Sequence, residues 1–296
     1  MDFPIALKNA QNVLCLDMER IFLRGIENPS YDFLRNCFFS KDGISSFRVQ
    51  EADNPEFAQM QYGGNSAALL YGIPLQTSNS SKLVEALCQI AAEAGKFHLL
   101  ANVPADSDQW QYLKANGFRT YSVQTIYKID HLPHIKSSST QWCFETDEDR
   151  NSVAAFYSRF LSPLEASLQS WNFPDVFHLI LHDPSACIRG ITRIRFFADR
   201  AVLLPMLDAN CSDPEQHIAA LFHDCSKYFS MIFIREFTNR PFKKEFFGKD
   251  AEICLLENHS MVRNLASFST IKNFQLAEYL DDKGIARPST PFSHSR

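Results

Sequence analysis

The sequence predicts a mixed α/β (α+β) protein built twice, as two tandem domains that are each a mostly antiparallel twisted sheet with flanking helices. Three observations predict it. Residues 66–129 read as strand, polar loop, amphipathic helix, strand, short helix and long strand. Residues 131–140, with Pro133 and the run Ser137-Ser138-Ser139-Thr140, read as a linker. Residues 141–284 then repeat the order of elements found before the linker. The expected units are therefore 1–130, the linker 131–140, a diverged copy at 141–284, and a Ser/Thr/Pro/His-rich disordered tail at 285–296.

The whole chain agrees with that plan. Its 296 residues exceed one ordinary domain and suit two of about 120–150 residues each. With 45% apolar and 21% charged residues, it can bury a full core. Phe is frequent at 26 and Gly scarce at 10, which favours filled layers over glycine-rich phosphate loops. A net charge of −5 and no basic, aromatic-interleaved cluster argue against nucleic acid. Eight scattered cysteines without a CxxC pair argue against zinc and against a disulfide framework. They fit a reducing, cytoplasmic setting. No apolar run reaches the roughly 18 residues of a membrane span, so no membrane partner is expected.

In chain order, Val13 to Leu16 can hold a strand, and Asn28-Pro29-Ser30 starts a helix through Tyr31 to Arg35. Ile44 to Val49, Phe57 to Tyr62 and Ala67 to Tyr71 follow as an antiparallel meander, with turns at Gly43 and Gly63-Gly64-Asn65. Ser80 or Ser81 caps the clearest helix, whose apolar stripe is Leu83, Leu87, Ile90 and Ala91 and whose end is Gly95. Phe97 to Val103 is a largely apolar run, as expected of a strand buried on both faces beside a parallel neighbour. A short helix from Ala105 to Asn116-Gly117 leads into the alternating strand Phe118 to Ile129. After the linker come a strand at Gln141 to Thr146, a helix from Asp147 to Trp171 interrupted near Pro163, and strands at 176–181, 187–197 and 201–207. Asp213 as N-cap and Pro214 at the first position open a helix through Phe229. Met231 to Glu236 is a strand, Arg240 to Gly248 a short helix, and Ala251 to Met261 the last strand.

This order, with Tyr112-Leu113-Lys114-Ala115-Asn116-Gly117-Phe118 ending the short helix, resembles the GNAT superfamily of N-acetyltransferases. The resemblance covers roughly Ile44 to Ile129 and extends to the second half by order alone. It implies a tandem member using acetyl-CoA or another acyl-CoA as co-substrate and a small-molecule or peptide amine as acceptor. It also implies a cofactor site made by Tyr71, Ile73, Gln76, Thr77, Ser78, Asn79, Ser80, Ser81 and Lys82. Backbone N–H groups at a helix start favour pyrophosphate, and glycine lets the backbone approach it. Here the family's two glycine positions fall on Ser78 and Ser80, and its Gln/Arg position on Leu75. The corresponding second loop, Asp208 to Asp213, has no glycine and carries two carboxylates that repel phosphate.

The family's tyrosine, four residues before the glycine, is Leu113 in this chain, and Tyr112 lies about 100° round the helix. The asparagine that opens that helix is replaced by Asp106. No catalytic residue is therefore assigned. Tyr71 and Tyr121 suit the core, and His98, His178, His182 and His223 suit structural roles. Glu51, Asp53 and Glu56 read as an acidic connection. Two functions follow: an acyl-CoA-dependent N-acyltransferase confined to the first half, or an inactive tandem scaffold with a binding role. A third, weaker reading, a peptidoglycan-type aminoacyl transferase, would carry more basic character. An open or plugged gap between the two central strands separates the first two readings.

Overall fold

The computed structural model describes residues 13–24, 29–38, 43–49, 56–72, 80–129, 142–168, 173–183, 185, 187–238 and 256–266. The first half runs β1 (Leu14–Cys15), α1 (Met18–Arg24), α2 (Pro29–Phe38), β2 (Ile44–Val49), β3 (Glu56–Gly63), β4 (Ser66–Gly72), α3 (Ser80–Glu93), β5 (His98–Pro104), α4 (Asp108–Ala115) and β6 (Arg119–Ile129). The second runs β7 (Trp142–Phe144), α5 (Arg150–Phe160), α6 (Pro163–Leu168), β8 (Phe177–His182), β9 (Ile188–Phe197), β10 (Arg200–Leu207), α7 (Pro214–Ser226), β11 (Met231–Phe237) and β12 (Leu256–Asn264). The expected helix at 240–248, the linker and the tail lie outside the described residues.

Each half repeats one plan. β2-β3-β4 and β7-β8-β9-β10 are antiparallel meanders. A helix then crosses to a parallel neighbour, α3 to β5 and α7 to β11. The crossing helices form for the reasons the sequence gives. Leu83, Leu87 and Ala91 bury one stripe of α3 on the sheet, and Gly95 ends it at φ +72. Ser107 caps α4 by accepting from Trp110 N–H at 3.1 Å. Gly117, at φ +81, reverses the chain after it. One cap is otherwise than expected: Asp213 precedes α7 in a left-handed conformation (φ 50) and makes no side-chain cap hydrogen bond. Pro214 does stand at the start of that helix.

The strands form one sheet, in the order β2-β3-β4-β5-β12-β6-β11-β10-β9-β8-β7, with β1 attached to β4. Strand β12, from the end of the chain, lies between β5 and β6 and is antiparallel to both. Strand β6 in turn pairs with β11. Each half thus receives a strand from the other, and the hydrogen-bond ladder runs unbroken across the junction. Helix α1 reinforces this by setting Met18, Phe22 and Leu23 against Ile126, Val202 and Phe233. No helix among the described residues is long and apolar enough to cross a membrane.

Candidate functional site

The parallel pair β4–β5 is hydrogen-bonded only over Ser66–Ala68 and His98–Leu100. Beyond it the strands part, at the end of the sheet from which the chain passes to α3. A gap between parted strands exposes two rows of backbone groups that need partners. Here the chain's own β1 fills it. Leu14 and Cys15 pair with Gly72 and Tyr71 of β4. Leu16 then joins both walls: its N–H donates to Leu70 O of β4 at 2.8 Å, and its carbonyl accepts from Asn102 N–H of β5 at 2.8 Å. Asp17 makes a parallel bridge to Asn102. The gap is plugged, and the plug is backbone.

Residues that follow the plug fasten it to the second half. Arg195 of β9 donates to Asp17 at 2.9 Å, to Glu19 at 2.6 Å and to Asp175 at 2.6 Å. Arg193 reaches Glu19 at 3.0 Å, and Arg235 of β11 also pairs with Glu19. Arg20 pairs with Asp175 at 3.4 Å and donates to the side-chain carbonyl of Gln61 at 3.3 Å. At the far end Arg24 pairs with Asp32 at 2.8 Å, and Tyr71 donates its hydroxyl to Asp32 at 2.5 Å. Arg193, Arg195, Arg235, Asp17 and Glu19 are all buried.

The electrostatics follow from this crowding. Burial alone pushes the Asp175 carboxyl up, but Arg195 and Arg20 outweigh it and hold it below the usual carboxylate range. Burial depresses Arg195, and Asp17 and Asp175 more than restore it. Arg193 stays depressed, by burial and by neighbouring Arg195. Arg235 falls to about 10, from burial that Asp17 only partly offsets.

Two small cavities flank the plug. One of about 20 Å³ lies toward α3 and α4, lined by Leu16, Leu69, Tyr71, Leu83 and Tyr112 among others. One of about 60 Å³ lies on the other face of the sheet, between the halves, lined by Leu16, Asn102, Tyr121, Ser260 and the three arginines among others. Neither has room for the arm of an acyl-CoA, so in this conformation the described residues do not fit that group.

The expected cofactor residues are only partly brought to the gap. Tyr71 is 2% exposed and bound to Asp32, and burial, then Cys15 and Asp32, push its hydroxyl pKa up. Ile73, Gln76, Thr77, Ser78 and Asn79 lie outside the described residues. Ser80 and Ser81 open α3, and Lys82 is exposed on its first turn. Among the other candidates, Leu113 is fully buried, and Tyr121 hydrogen-bonds Ser260. His178 bonds Glu145 at 2.7 Å, and His182 faces Asp149 at 3.6 Å. None of these histidines approaches the plug. Glu51 and Asp53 lie outside the described residues, and Glu56 begins β3. Before α7, Asp208 accepts from Asn210 N–H at 2.9 Å, so this loop is closed by its own carboxylate. No group of His, Cys, Asp and Glu fit for a metal occurs among the described residues.

Sequence reasoning missed the buried ionic network. Its signal was present: Arg193 and Arg195 alternate with Ile194 and Phe196 in a strand that also holds Ile188 and Ile191, and Arg235 sits inside Met231–Phe237. Charges at period two in a buried strand demand partners, and here these are the carboxylates of Asp17, Glu19 and Asp175.

No family model and no curated protein matches the chain. Several solved structures resemble it. A tandem GNAT protein from the clavulanic acid biosynthesis pathway is 10% identical, with 89% of this chain and 96% of that one covered at a TM-score of 0.47. A GCN5-related N-acetyltransferase from Sphaerobacter thermophilus is 11% identical, with 81% and 86% covered at 0.47. One from Kribbella flavida is 10% identical, with 73% and 89% covered at 0.48. Identities this low transfer no activity, and scores below 0.5 add no weight of their own. The order of elements, a meander followed by a helix crossing to a parallel strand that splays from its neighbour, gives this chain a GNAT-like tandem fold.

Proposed function

We propose that the chain is a tandem GNAT-like scaffold with a binding role, its first-half gap closed by its own strand. The observation that carries this reading is Leu16, whose peptide groups bond both walls of the gap. Removing the plug breaks those bonds and strips Arg193, Arg195 and Arg235 of Asp17 and Glu19. Breaking buried pairs of this kind costs about 3–5 kcal/mol, which would weaken an acyl-CoA by about 10²–10⁴-fold. The absence of a tyrosine at Leu113 and the two carboxylates before α7 support the same reading.

The second reading is an acyl-CoA-dependent N-acyltransferase acting on an amine. It is favoured by the divergence of β4 and β5 beside the start of α3, and by the brevity of β1, two residues long. Acyl transfer would then require β1 to leave.

Thermal unfolding with acetyl-CoA separates the two. Wild type and Leu16→Pro, which lacks the N–H given to Leu70, are titrated to millimolar acetyl-CoA and assayed with an amine panel for thiol release. The scaffold reading expects no saturable shift and no release in either protein. A saturable shift with thiol release, strengthened by Leu16→Pro, would replace it with the transferase.

A further inference from the structure

We propose that His178 is an acid-sensitive latch, which holds the edge segment from β7 through α5 on the second-half sheet and releases it when the imidazole takes up a second proton. His178 lies on β8, 5% exposed, and touches that one segment at two points. Its Nδ1 is 2.7 Å from the Glu145 carboxylate, just past β7. Its ring meets the Tyr157 ring of α5 edge-on, with 5.9 Å between centroids. The Glu145 N–H also donates to the His178 carbonyl at 3.0 Å.

The partners fix the resting state. A carboxylate at neutral pH only accepts, so Nδ1 carries the proton and Nε2 keeps its lone pair. Nε2 is buried and has no hydrogen-bond partner among the described residues. A second proton would set a charged N–H where nothing accepts it.

The charges around the ring oppose that proton as well. Arg193 stands opposite His178 in the β8–β9 register, on the same face of the sheet, where like charges destabilise. It is buried and held to Glu19 at 3.0 Å, so its charge stays in place. Glu145 favours the imidazolium, but a quarter of its side chain is exposed. Tyr157 remains neutral because burial pushes its hydroxyl pKa up. His182, four residues along β8, faces Asp149 at 3.6 Å instead. Burial, opposed by Glu145 and joined by Arg193, holds the His178 pKa below its ordinary 6.5.

Release is local because of where the segment sits. Among the described strands β7 is outermost and pairs only with β8, so it can leave without breaking an interior ladder. Helix α5 sets Phe156 and Tyr157 against Leu204, Met206 and Phe237, so its release uncovers the place where β10 and β11 part. Once freed, the imidazole titrates near 6.5. Stability of the closed form is complete above that pH and is lost as pH falls from there to the folded-state value. Across that window the open form gains by up to about tenfold per pH unit. This latch lies apart from β1, so it holds whether or not the first gap ever opens.

The test is hydrogen exchange of the full chain between about pH 7.5 and about pH 5, read as protection factors with the intrinsic rates divided out. Protection of the Glu145 amide and of α5 should fall by up to about tenfold per unit below 6.5, and the β9–β10 ladder should fall less. His178→Asn keeps a neutral donor toward Glu145 and removes the titration, so the extra fall at Glu145 and α5 should vanish. An NMR titration of the His178 ring in the wild type needs no variant and should give a midpoint below 6.5. Steady protection at Glu145 and α5, the same extra fall in His178→Asn, an equal fall in the β9–β10 ladder, or a ring midpoint at or above the ordinary value would each overturn the proposal.

Discussion

The two halves share an order of elements and treat their first strands in opposite ways. In the second half β7 sits at the sheet edge beside β8. In the first half β1 lies in the gap between β4 and β5. The second gap, where β10 and β11 part after Leu203 and Ile234, is flanked by side chains instead. There Leu204, Met206 and Phe237 pack with Phe156 and Tyr157 of α5 in one buried cluster. One half is closed by hydrogen-bonded backbone and buried ion pairs, the other by apolar packing. A single fold thus satisfies a splayed strand pair by two physical means, and the choice depends on what the neighbouring segment offers.

That comparison can be broken most sharply at Glu19. Glu19→Ala leaves three buried arginines short of a carboxylate and should destabilise by about 3–5 kcal/mol. Urea unfolding followed by fluorescence and by circular dichroism should still give one transition, because β6 and β12 are exchanged between the halves. Two separate transitions would show the halves to be independent, and a loss under about 1 kcal/mol would show the ionic fastening to be idle.

In the second half the equivalent probe is Leu204→Ala, which empties apolar volume where the strands part. The expected loss is about 2–4 kcal/mol. The distinction between the two closures lies in salt. Added salt should leave the Leu204→Ala deficit unchanged and alter the Glu19→Ala deficit, and equal responses would erase the difference drawn here.

The smallest effect concerns pH. Asp175, held by Arg195 and Arg20, has a folded-state pKa below its unfolded value. Its contribution is fully present above the unfolded pKa near 4 and is lost as pH falls through the folded value. With a quarter of its side chain exposed, that contribution is about 1–2 kcal/mol once solvent screening is allowed for. Asp175→Asn should flatten the fall of the urea midpoint below pH 4 and leave the second-half packing unaffected. An unchanged acid limb would remove Asp175 from the fastening.

Much of the framework was legible in the residues. The stripe Leu83, Leu87 and Ala91 dictated α3, and Gly95 and Gly117 marked its end and that of α4. The largely apolar run Phe97 to Val103 specified a strand with a parallel neighbour, found at His98–Pro104. The repeat of that order after the linker announced a second copy. Two features were not legible. Strand propensity does not choose a partner, so nothing in 256–264 said that β12 would lie between β5 and β6. The destination of β1 was equally hidden, because Val13 to Leu16 suits a sheet edge and a splayed gap alike.

By itself the sequence determined most of the helices and strands and which of their faces are apolar, though not the helix Met18–Arg24, because periodicity and capping act over a few neighbouring residues. Tertiary structure alone decided that the gap is filled from within. That outcome needs Leu70 and Asn102 to present unpaired groups on both sides of Leu16, and Arg195 to lie within 2.9 Å of Asp17 across a sequence separation of 178. Hydrogen bonds and ion pairs between distant residues are settled by where the folded chain sets their partners, and no local pattern carries that information.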